Sequence, residues 1–95
     1  MTTDDPKPDD LPGIDFSTLV LSLATSAMVH LGFVPESEGG TAEKNLPLAH
    51  QTIDTLELLQ EKTRGNLTDD ESKLLQSVLY ELRMSYVKAR EGKPA

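Results

Sequence analysis

The sequence predicts a small all-α protein of three helices: a long uncharged helix followed by an antiparallel helical hairpin. Three features carry that expectation. The run from Phe16 to Val34 holds no Lys, Arg, Asp or Glu, although the chain of 95 residues carries sixteen acidic and nine basic side chains. Apolar residues then recur at helical spacing through two further stretches. Between those stretches, Gly65-Asn66-Leu67 breaks the pattern, and Thr68-Asp69-Asp70-Glu71 restarts it with a capping box.

The first helix is expected over about residues 16–32. Asp15 or Ser17 offers a cap, and Gly32 offers a stop. On a wheel of roughly 100° per residue, its large apolar residues with Ala24 and Ala27 sweep an arc of about 200°, wider than the stripe of an ordinary surface helix. The remaining strip is Thr18, Ser22, Thr25, Ser26 and Val29. Small hydroxyls can return their hydrogen bonds to the helix's own carbonyls and let another backbone come close. The helix is therefore expected to be covered nearly all round, in part by a second copy of the chain, with Ser22, Ser26 and Val29 among the contacts. The competing reading inserts residues 16–34 into a membrane, for which the length is about right. Acidic residues on both flanks, no Trp or Tyr belt, and the diluting hydroxyls and His30 argue against it. The acidic leading segment likewise argues against a signal peptide.

The second helix is expected over about 46–64, capped by Asn45 with Pro47 in its first turn. Leu48, Ala49, Ile53, Leu56 and Leu59 form its apolar side, and Leu58 is an outlier near the polar side. The third is expected over about 69–90, with Leu74, Leu75, Val78, Leu79, Leu82 and Tyr86 on its main apolar face. Tyr80, Met84 and Val87 make a second stripe on its far side. That stripe is a partner contact, a dimer seam with the first helix, or a scattered exposed set. The short turn makes the second and third helices an antiparallel hairpin.

Residues 1–13, with four Asp and three Pro, are expected to be a disordered acidic tail, 14–90 a single helical domain, and 91–95 a frayed end. Residues 35–44 are expected to be a mobile loop, long enough that the second helix need not pack on the first in the same chain. So small a core favours oligomerisation. The absence of cysteine removes disulfides and thiolate chemistry. A formal net charge of −7 argues against nucleic acid and anionic membrane surfaces as partners.

His50, Asp54, Glu57 and Glu61 share one helix face at spacings of four, three and four, which suits a divalent ion in principle. One helix cannot enclose an ion, and a charged face opposite an apolar one is expected anyway, so no metal site is assigned. His30, at a helix end, is expected to be structural. No nucleophile elbow, phosphate loop or other catalytic motif occurs, and no cofactor is expected.

The segments Ile14-Asp15-Phe16-Ser17-Thr18, Leu21 to Ala27, His30-Leu31-Gly32, Asn45 to Ala49, Gln51 to Asp54, Glu61 to Thr68, Leu79 to Arg83 and Tyr86-Val87 resemble the bacterial family catalogued as domain of unknown function 1844. The resemblance covers about Ile14 to Lys88. It implies a small helical protein and brings no catalytic residue. The expected role is thus a cytoplasmic, non-enzymatic oligomerising or adaptor protein. Its contacts would be Ser22, Ser26, Val29, Leu58, Tyr80, Met84 and Val87, with a homo-oligomer and a further protein as partners.

Overall fold

The structure, a computed structural model, describes residues 13–34 and 43–92. Residues 1–12 of the expected acidic tail, nearly all of the expected loop, and residues 93–95 of the expected frayed end therefore lie outside the described residues. Three helices make up the fold: α1 (Phe16–His30), α2 (Leu46–Lys62) and α3 (Asp69–Arg90). Each packs against the other two.

Local sequence sets the ends. Asp15 caps α1, its carboxylate accepting from the Thr18 amide at 2.8 Å. Asn45 caps α2 in the same way, accepting from the Leu48 amide at 3.1 Å. At α3 the capping box closes in both directions: Thr68 Oγ1 accepts from the Glu71 amide at 3.1 Å, and Glu71 Oε1 accepts from the Thr68 amide at 2.9 Å. α1 stops at His30, earlier than expected, because the chain turns left-handed at Gly32 (φ +86°).

Between the helices lies an apolar core. Val20, Ala27 and Leu31 come from α1 and its end, Ala49, Ile53 and Leu56 from α2, and Leu75, Leu79, Leu82 and Ala89 from α3. Among the described residues no polar or charged side chain is buried. Fully burying each large apolar side chain contributes roughly 1.5–3 kcal/mol.

The long connection left open whether α2 would pack on α1, and one end of the bundle decides it: the two are joined directly. The Asn45 amide donates to the His30 carbonyl at 2.6 Å, fastening the start of α2 to the end of α1. Next to it, Lys44 Nζ donates to the Ala89 carbonyl at 2.9 Å, which brings in the end of α3. The chain thus runs up, down and up. Ala27, Ala49 and Ala89, all buried, lie near this end of their helices. A methyl at each position lets three backbones converge where a Leu would hold them apart.

The competing reading of residues 16–34 as a membrane span asks for a longer helix than the chain forms. α1 has 15 residues, about 22 Å of helix against roughly 30 Å of hydrocarbon. Among the described residues no helix is long and apolar enough to cross a membrane.

Candidate functional site

With no buried polar cluster to serve as a reaction centre among the described residues, the features that distinguish this molecule lie on its surface. The first is the outer side of α1. Val20, Ala27 and Leu31 turn inward, so the residues about half a turn away must face out. Thr18, Ser22, Thr25 and Ser26 are exposed, and Val29 between them is half-buried. Leu21 (50% exposed) and Leu19 (37%) border the strip on its two sides. Within one chain the strip is therefore open, and the covering expected all round the helix is not supplied by α2 and α3. Thr25 Oγ1 donates to the Leu21 carbonyl at 3.0 Å, so this hydroxyl is already satisfied within the helix.

The second feature is the cleft between α2 and α3, of about 290 Å³, lined by His50, Ile53, Asp54, Glu57, Arg83, Tyr86 and Val87. Here the four residues considered for a metal divide among other partners. His50 Nδ1 lies 3.1 Å from Asp54 Oδ2. Glu57 Oε2 accepts from both Nε (3.1 Å) and Nη2 (2.7 Å) of Arg83 on α3. Glu61 pairs with Arg64 at 2.8 Å. Among the described residues no group of three or more His, Asp or Glu is placed to hold a metal ion. The Glu57–Arg83 pair is about half exposed on both sides, so it is worth at most about 1 kcal/mol. Its geometry nonetheless fixes the direction of Arg83. The His50 ring meets Tyr86 edge-on at 5.7 Å. The Arg90 guanidinium lies 6.0 Å from the centre of the same Tyr86 ring, at the outer limit of a cation–π contact.

The third feature borders that cleft. Tyr80 (62% exposed), Met84 (46%) and Val87 (39%) stand along the solvent side of α3, opposite Leu75, Leu82 and Ala89. The stripe faces away from α1 of its own chain, which packs along the other edge of α3 at Leu74, Val78 and Leu82. Leu58 (56% exposed) stands by itself on the back of α2. His30 is half-buried and contributes its carbonyl to the α1–α2 fastening.

Sequence reasoning misses Lys44, which falls within the expected mobile loop. A lysine just before the Asn45 cap is the available signal, since it enters the bundle at the end where other helices stop.

The family model described as Domain of unknown function (DUF1844) matches residues 13–88, and the chain belongs to that family. No curated protein and no solved structure matches the chain.

Proposed function

We propose that this member of the DUF1844 family works by binding rather than by catalysis, and that it pairs with a second copy of itself through the outer strip of α1. The observation that carries the reading is the conjunction of charge and exposure. Two chains of net charge −7 repel each other over most of their surfaces. α1 has no charged residue from Phe16 to Val29, so two copies can approach there without opposing like charges. Leu19 and Leu21 supply apolar area, and the hydroxyls between them are short enough for two helix backbones to lie close. Because Thr25 is satisfied within its own helix, covering it leaves no orphaned donor.

A two-fold pair places the residue nearest the axis against its own copy. Ser22 is close to the middle of α1 and of the strip. The chain has no cysteine, so Ser22→Cys gives a single reporter whose disulfide needs Cα atoms within about 7 Å. Mild oxidation should convert Ser22→Cys to a covalent dimer far faster than Gln51→Cys on the exposed back of α2. Equal rates for the two variants would refute the pairing.

A further inference from the structure

We infer that the second copy rests on α1 and α2 together, so that the pairing surface takes in the edge of α2 that borders α1. This extent rests on the pairing through α1 proposed above. α2 carries two rows at spacings of four, three and four. His50, Asp54, Glu57 and Glu61 form one, and Leu48, Thr52, Thr55 and Leu59 form the other. An offset of two residues sets the rows about half a turn apart. The first row borders α3, where Glu57 bonds Arg83 across the cleft. Ala49, Ile53 and Leu56 fill the core between the rows, so the second row borders α1. Thr52 and Leu59 are half-buried there, while Leu48 (40% exposed) and Thr55 stay open.

A stable pair needs more area than α1 alone offers. Its 15 residues make a helix about 22 Å long and roughly 10 Å wide, a footprint of about 220 Å². Specific interfaces bury roughly 800 Å² on each partner. A neighbouring helix must contribute, and charge decides which. On α3, the edge beside α1 carries Asp70, Glu81 and Lys88 along the row of Leu74 and Ser77. On α2, the edge beside α1 is Leu48, Thr52, Thr55 and Leu59, all uncharged. Charges of both signs stand at its two ends, Asp15 with Lys62 at one and Glu43 with Lys44 at the other. α1 and this edge thus form one continuous uncharged face, on which the uncharged α1 of a second copy meets no opposing like charge. Thr25, Thr52 and Thr55 each donate to the carbonyl four residues back, at 3.0, 3.0 and 2.9 Å. Covering them leaves no orphaned donor.

Thr55→Glu and Ser77→Glu test it. Both positions are exposed, both variants add one negative charge, and the two sites flank α1 on opposite sides. Glu favours a helix more than Thr does, and circular dichroism checks that helix content is kept. Sedimentation velocity on a dilution series of the full chain gives the dissociation constant of the pair. Thr55→Glu should raise it at least about tenfold, as like charges brought together in an interface do. Ser77→Glu should leave it within about twofold at physiological salt, where a charge outside the contact is screened. Equal weakening by the two variants, or none by Thr55→Glu, would overturn the inference. If Ser22→Lys still separates the pair in that case, the pairing through α1 stands and only the share of α2 falls. A parent chain that stays single at every concentration would overturn both.

Discussion

Lys44 Nζ donates to the carbonyl of Ala89 at 2.9 Å, joining residues 45 positions apart. The last carbonyls of a helix carry the negative end of its dipole; the Ala89 carbonyl already accepts from the Gly92 amide at 3.1 Å, so the ammonium fills its second lone pair where a cation is electrostatically favoured. The lysine stem also passes Gly32, where a Cβ would stand 3.4 Å from Lys44 Cγ. One side chain thus closes the end of the bundle at which α1 and α3 finish and α2 begins.

Lys44→Met keeps most of the stem and removes the donor. It should lower stability by about 1.5 kcal/mol, the lower end for a charged hydrogen bond, because the site is partly solvated. Chemical denaturation measures this, and amide exchange at Asn45 should quicken as the junction loosens. An unchanged midpoint together with unchanged exchange would mean that the contact stabilises nothing.

Gly32 and Gly65 both have left-handed backbones, at φ +86° and +81°. Replacing either with Ala should cost about 1–2 kcal/mol, the penalty of a Cβ in that conformation. Around Gly65 nothing lies within 4 Å of the added Cβ, and at Gly32 the nearest atom is at ordinary contact distance. The two losses in urea denaturation should therefore be nearly equal. A neutral Gly65→Ala would show that the turn can relax its backbone.

The Asp15 carboxyl is held below the usual carboxylate range by hydrogen bonds from Thr18, its hydroxyl first and its amide second. A lowered folded-state pKa means that the charged cap contributes fully above the ordinary carboxylate range. That contribution is lost as pH falls through the lowered value. Asp15→Asn keeps a capping oxygen without the titration. The stability advantage of the parent chain over the Asp15→Asn variant should shrink on acidification and disappear below the lowered pKa, as followed by circular dichroism on both chains. An advantage independent of pH would contradict the assignment.

Features confined to a few consecutive residues were legible in the sequence: the Asp15 and Asn45 caps, the Thr68–Glu71 box, and the apolar faces that became the core. Each is determined by neighbours within one helical turn. What escaped depends on distance along the chain. The Lys44–Ala89 and Glu57–Arg83 contacts span 45 and 26 residues; the lysine before the Asn45 cap hints that it enters the bundle, but the partner of neither contact can be read from sequence neighbours. The packing of α1 on the hairpin of α2 and α3 was expected, but loop length left open that α2 would be fastened directly to the end of α1. At the surface, the wheel identified the uncharged strip and the Tyr80–Met84–Val87 stripe. It said nothing of how far α2 and α3 would reach round α1, and hence expected cover where Ser22 and Ser26 stand exposed.

The most direct test of self-pairing is the native mass of the full chain by light scattering without detergent, beside that of Ser22→Lys. The pairing through α1 predicts about twice the 10.4 kDa of one chain for the parent. It predicts a single-chain mass for Ser22→Lys, with helix content retained because Ser22 is exposed. A single-chain mass for the parent, or a dimer that Ser22→Lys leaves intact, would contradict it.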